Sequence, residues 1–96
     1  MASVKKPPQG HCNVLFFAGA SSFTGKDCVA LPAPLSLGNL FGELESLFPG
    51  IRAKILDSCL VTVNLEYVDV PEEGAADARV IQEADEVAII PPVSSG

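Results

Sequence analysis

Glu86-Val87-Ala88-Ile89-Ile90, closed by Pro91-Pro92, is apolar on both of its alternating sides from Val87 onward. Side chains of a strand point to opposite faces in turn, so Val87 and Ile89 serve one face and Ala88 and Ile90 the other. A strand with both faces apolar belongs inside a sheet, and the two prolines end it because neither can donate to a ladder. Asn13-Val14-Leu15-Phe16-Phe17-Ala18 has the same character: it is too short for a helix, rich in β formers, and suited to burial on both faces. These two segments, one near each end of the chain, can lie side by side in parallel near the middle of one sheet.

The chain between them supplies the other layers. Gly19 to Gly25 is small and polar and is expected to be a loop or short turn. Lys26 to Leu31 is expected to be the hairpin partner of the first strand, ended by Pro32 and Pro34. Ser36 is a fitting N-cap, and behind it Leu37, Leu40, Phe41, Leu44, Leu47 and Phe48 recur at the spacing of one helical face. Glu43, Glu45 and Ser46 are expected to point outward. Gly38 and Gly42 each cost about 1 kcal/mol relative to Ala, so this helix depends on packing, and Pro49-Gly50 stops it.

A short helical turn is expected within Ile51 to Ser58, then a half-buried strand from Cys59 to Val68. That strand sets Val61, Val63, Leu65 and Tyr67 on one side and Leu60, Thr62, Asn64 and Glu66 on the other. Pro71 to Asp77 is an acidic loop, and Ala78 to Ile81 a brief edge strand. The expected architecture is α+β: a β-grasp, or ubiquitin-like, fold with a mixed sheet of four to five strands packed on one main helix. Residues 1–11 are expected to be a disordered tail, 12–90 the β-grasp domain, and 91–96 an extended reactive tail. One uncovered sheet face follows, and Leu15, Phe17, Leu60 and Ile90 are candidates to lie on it as a partner interface or to complete the core.

Ninety-six residues allow one domain, and 48% hydrophobic content is enough for a core. No apolar run approaches the roughly 20 residues needed to cross a bilayer, and the first ten residues lack the pattern of a secretory signal. Cys12, Cys28 and Cys59 are odd in number and widely spaced, which suits a reducing, cytoplasmic setting without disulfides. From Glu66 onward eight acids face one base, Arg79, a net of −7. That half repels phosphate backbones, which disfavours nucleic acid, and favours either a basic protein surface or plain solvation.

The chemistry-bearing candidates narrow quickly. His11-Cys12, Cys28 and Cys59 have no zinc spacing. Asp85-Glu86 are strand neighbours that point apart, so they suit a solvated turn or a basic partner better than a paired-carboxylate site. Ser21-Ser22 between Gly19 and Gly25 lacks the G-x-x-x-x-G-K-[ST] pattern of a phosphate loop. Pro91-Pro92-Val93-Ser94-Ser95-Gly96 remains. Its prolines favour an extended course away from the body, and its small residues thin the chain to the width of a backbone. Such a tail can enter a narrow cleft, and glycine at its end leaves the carboxyl carbon open to attack.

Asp85-Glu86-Val87-Ala88-Ile89-Ile90-Pro91-Pro92-Val93-Ser94 leading to Gly96 resembles the end of the molybdopterin synthase small-subunit family, the sulfur carriers of molybdenum cofactor synthesis. Val14-Leu15-Phe16-Phe17-Ala18 resembles that family's first strand, and Leu47-Phe48-Pro49-Gly50 and Val63-Asn64 fall in the matching order, so the resemblance covers residues 12–96. It implies a carrier, not an enzyme, that binds no cofactor stably. A ubiquitin-activating-like adenylyltransferase and sulfurtransferase would use ATP to place AMP on Gly96, and sulfur would then replace AMP to leave a thiocarboxylate. The molybdopterin synthase large subunit would grip Ile90, Pro91, Pro92, Val93, Ser94 and Ser95, in a heterotetramer of two small and two large subunits, and sulfur would pass to cyclic pyranopterin monophosphate. Ser95 departs from the family's usual Gly-Gly ending, and Ala84 stands where the family usually has glycine. Two alternatives stay open: a thiocarboxylate carrier for tRNA thiolation or thiamine synthesis, and a ubiquitin-like interaction module without terminal chemistry.

Overall fold

The computed structural model describes residues 7–71 and 79–92. The first strand, β1 (His11–Phe16), turns into a short helix, α1 (Gly19–Thr24), and returns as β2 (Cys28–Pro32). A two-residue strand, β3 (Leu35–Ser36), leads into the main helix, α2 (Leu37–Leu47). Then follow α3 (Ile51–Lys54), a 3-10 turn over Leu56–Ser58, β4 (Leu60–Val63), β5 (Glu66–Val68), β6 (Val80–Ile81) and β7 (Glu86–Ile90).

The five-stranded sheet runs β2-β1-β7-β4-β5, with β1 and β7 parallel and each other pair antiparallel. The two strands that are apolar on both faces are therefore neighbours, and β7 holds the centre, as their composition required. Val14 and Phe16 of β1, Val61 and Val63 of β4, and Val87 and Ile89 of β7 are buried on one face. Leu37, Leu40 and Leu44 of α2 pack onto them with Ile51, Ile55, Leu56 and Ile81. Phe16 meets Phe48 edge to face, with ring centroids 5.6 Å apart. This is the β-grasp arrangement, a mixed sheet clasping one principal helix.

Ser36 caps α2 as expected: its hydroxyl oxygen accepts the Gly38 N–H at 3.3 Å. Leu47 departs from the expected buried stripe and stands 50% exposed, because it lies at the stripe's edge in the last turn. Glu45 does more than face solvent. Its carboxylate accepts the Gly50 N–H at 2.7 Å and the Arg52 N–H at 2.9 Å, satisfying orphan donors at the start of α3.

Three expectations are corrected. Gly19 to Gly25 contains α1, where a loop or short turn was expected. Ala20 is buried, Thr24 Oγ1 donates to the Ala20 carbonyl at 3.0 Å, and Gly25, at φ 72°, ends the helix by donating to Ser21 O. Packing, not propensity, makes this helix. The single strand over Cys59 to Val68 is in fact a hairpin, β4–β5, turning at Asn64 (φ 52°) and Leu65 (φ 71°). Two positive-φ residues suit the type I′ connection of a two-residue loop. Thr62 therefore pairs with Tyr67 and shares its face, and Leu65 leaves the core side to stand 87% exposed. Finally, Val80–Ile81 joins β3 in a separate two-stranded sheet and does not form an edge of the main one.

His11, assigned to the N-terminal tail, is the first residue of β1, and Gly10 donates its N–H to Glu83 Oε2 at 2.6 Å. Residues 1–6 of that tail and residues 72–78 of the acidic loop and edge strand lie outside the described residues. No helix among the described residues is long and apolar enough to cross a membrane.

Candidate functional site

The helices cover one face of the sheet. The other face is built by the alternate residues of the same strands. Across the sheet Leu15 pairs with Ala88, Ala88 with Thr62, and Thr62 with Tyr67, so one row of side chains runs from β1 through β7 and β4 to β5. These four residues, with Phe17, Leu65, Glu86 and Ile90, line a groove of about 280 Å³. Tyr67 is 68% exposed and Phe17 47%, and Leu60, paired with Ile90, is 56% exposed. Of the four candidates for an uncovered face, Phe17 and Leu60 are open to solvent. Leu15 and Ile90 belong to the same face but are largely covered by their neighbours.

Tyr67 and Leu65 join Thr62 on this face only because of the hairpin turn, which sequence reading missed. Asn64 was the available signal, since asparagine tolerates the left-handed region better than other non-glycine residues. Leucine beside it masked the turn, where glycine would have announced it.

At one end of the groove β7 delivers the C-terminal segment. The Phe17 N–H donates to the Ile89 carbonyl at 3.2 Å, and Ile90 pairs with Leu60, so the strand is gripped on both sides up to its last residue. Ile90 is half-buried, Pro91 buried and Pro92 exposed, so the chain parts from the body at Pro92, one residue later than the two prolines suggested. Val93, Ser94, Ser95 and Gly96, expected to bind the partner and carry the chemistry, lie outside the described residues.

The two adjacent carboxylates differ. Asp85 accepts the Gln82 N–H at 2.8 Å on Oδ2 and the Asn64 side-chain amide at 3.1 Å on Oδ1, which makes it a turn clamp. Glu86 instead turns into the groove. Among the described residues no cluster of three or more His, Cys, Asp or Glu side chains is arranged to hold a metal. Cys12 is buried in the core, and burial pushes its thiol above the ordinary value. Burial does the same to Cys59, whose S–H donates to the Leu56 carbonyl at 3.5 Å. Both are poor nucleophiles near neutral pH. Ser21 donates to Asp27 Oδ1 at 3.2 Å, an internal contact of α1 with the following turn.

Comparison with known proteins adds the following. The model of the ThiS family matches residues 14–96. A molybdopterin synthase sulfur carrier subunit of Phaeosphaeria nodorum is 62% identical over 97 residues, covering 100% of both chains. SAMP1 of Haloferax volcanii has the same fold, with a TM-score of 0.68 at 24% identity over 91% of this chain and 100% of its own. Subunit 1 or 2 in a complex of the molybdopterin-converting factor from Helicobacter pylori superposes with a TM-score of 0.61 at 19% identity, covering 90% of this chain and 99% of that one.

Proposed function

The chain belongs to the ThiS family, with molybdopterin synthase sulfur carrier subunits as its relatives, and on that footing we propose that it carries sulfur as a thiocarboxylate on Gly96. The observation that carries this reading is the exit of the tail. It leaves the central strand of the sheet at Pro92, beside an open apolar groove. A central strand held from both sides gives the tail a rigid root, and the groove gives a partner a surface on which to orient that root.

In the proposed cycle a carboxylate oxygen of Gly96 attacks the α-phosphorus of ATP in an activating partner, and pyrophosphate leaves. The carboxylate was a poor electrophile; the acyl adenylate is a good one. Hydrosulfide, the sulfur source used by that partner, attacks the acyl carbon, expels AMP and loses its proton, leaving the thiocarboxylate. Charged at neutral pH and nucleophilic at sulfur, this group delivers sulfur to cyclic pyranopterin monophosphate in the large subunit. ATP belongs to the partner, and the carrier contributes the reacting atom and its placement. The groove docks on the large subunit, Ile90, Pro91 and Pro92 guide residues 93–96 into its cleft, and two copies of each subunit form the working assembly in the cytoplasm. Ser95 suits an extended course, in which its side chain meets no backbone penalty.

Intact-mass measurement after co-expression with the activating enzyme and a sulfur source tests the proposal. Replacement of one oxygen by sulfur, mapped to Gly96, is the expected result. An unmodified carboxylate in a system that charges another carrier overturns it. Deleting Gly96 separates the carrier from a plain interaction module: the deleted chain binds the large subunit through the groove yet transfers no sulfur.

A further inference from the structure

We propose that Glu86 is a specificity-determining residue of the groove, taking a lysine or arginine side chain that the large subunit presents among apolar residues. The inference rests on the docking role given to this face above. Asp69 in this half of the fold is exposed to solvent, whereas three other carboxylates are engaged inside the molecule. Asp85 holds Asn64 and Gln82, Glu83 holds the Gly10 N–H, and Glu66 meets Arg79 at 3.4 Å. On the helical side Glu45 caps α3. The Glu86 backbone is also engaged, its N–H with Asn64 Oδ1 at 2.9 Å and its carbonyl with the Asn64 N–H at 2.7 Å. Its carboxylate, however, has no hydrogen-bond or ion-pair partner among the described residues.

Glu86 as a residue is half-buried and lines the groove with Leu15, Tyr67 and Ala88. When a flat apolar partner covers this face, water leaves, and an unpaired carboxylate opposes binding. A cation at the matching place on the partner reverses the sign, and a partner without one is rejected. Position adds a second consequence. Glu86 begins β7 and Ile90 ends it, about 13 Å away at the usual rise of a strand. An ion pair at one end of the groove therefore sets where a partner sits along β7, and with it where the tail meets the partner's cleft.

The test is titration of the full chain with the large subunit of the same organism at about 50 and about 300 mM NaCl. Wild type is compared with Glu86→Gln, Glu86→Lys, Tyr67→Ala and, as a control on the opposite layer, Glu43→Gln, each checked for folding by thermal melting. Glu86→Gln keeps the backbone bonds to Asn64 and is expected to weaken binding about tenfold or more at low salt, and to flatten its salt dependence. Glu86→Lys weakens it further, and Glu43→Gln matches wild type. Binding by Glu86→Gln within about twofold of wild type, with an unchanged salt response, overturns the inference. If Tyr67→Ala loses binding in that same series, the docking face stands and only the role of Glu86 falls. If neither variant weakens binding, the docking face itself is wrong.

Discussion

Asn64 clasps Asp85: its side-chain amide donates to Asp85 Oδ1 at 3.1 Å, while its Oδ1 accepts the Glu86 N–H at 2.9 Å. The tip of the β4–β5 hairpin is thereby tied to the start of the central strand. Replacing Asn64 with alanine removes both side-chain bonds and leaves a Cβ residue at φ 52° without asparagine's tolerance for that region. Exposed hydrogen bonds contribute about 1 kcal/mol each, so Asn64→Ala is expected to lower unfolding stability by roughly 2 kcal/mol. Urea denaturation measures this. A loss as small as that of an ordinary surface substitution, within about 0.5 kcal/mol, refutes the clasp.

What the sequence made legible follows from length and periodicity. Glu86–Ile90 and the helix beginning at Leu37 have strong apolar patterns and sharp stops, and both appear where expected. Six residues of α1 carry no such pattern, and only the packing of Ala20 and the cap at Gly25 make them helical. At the site, Ile90-Pro91-Pro92 was legible because composition alone identifies a strand end. The groove was not, because its outer wall depends on one turn. With Leu65 at a position that usually demands glycine, period-two alternation continued on paper through a place where the chain reverses.

Ala84 is a further non-glycine residue at positive φ, 69°, in addition to Asn64 and Leu65, and its N–H donates to the His11 carbonyl at 2.9 Å. The glycine that the resemblance leads one to expect at this position would have a physical reason in that angle. Ala84→Gly is expected to stabilise the fold by about 0.5 kcal/mol, the relief of backbone strain exceeding the extra freedom of the unfolded chain. Ala84→Val should destabilise, because β-branching worsens the same strain. Differential scanning calorimetry of the pair tests this, and a lower melting temperature for Ala84→Gly contradicts it.

Glu45 makes stability depend on pH. Hydrogen bonds from the Gly50 and Arg52 backbone hold its carboxyl below the usual carboxylate range. A carboxyl depressed in the folded state stabilises above its unfolded value, about 4.3, and that contribution disappears as pH falls through the folded value. Glu45→Gln should therefore be less stable than wild type at neutral pH, with the gap closing below about pH 4. Denaturant midpoints across this range check it, and a gap that persists unchanged into acid rules it out.

Leu65 puts stability and binding in opposition. It is held at φ 71° in a turn that favours glycine, yet presents an almost fully exposed apolar side chain at the wall of the groove. A left-handed conformation costs a residue with a Cβ about 1–2 kcal/mol, partly offset by the entropy that glycine loses on folding. Leu65→Gly is thus expected to raise unfolding stability by about 0.5 kcal/mol while weakening affinity for the large subunit several-fold. Leu65→Asn, which tolerates the angle but is polar, should show the same opposed pair of effects. Denaturation and titration of each variant measure the two quantities separately. Strain is absent if glycine does not stabilise, and the side chain is no contact if affinity is unchanged. Opposed signs would mean that the turn retains a leucine against its own backbone preference because a partner uses it.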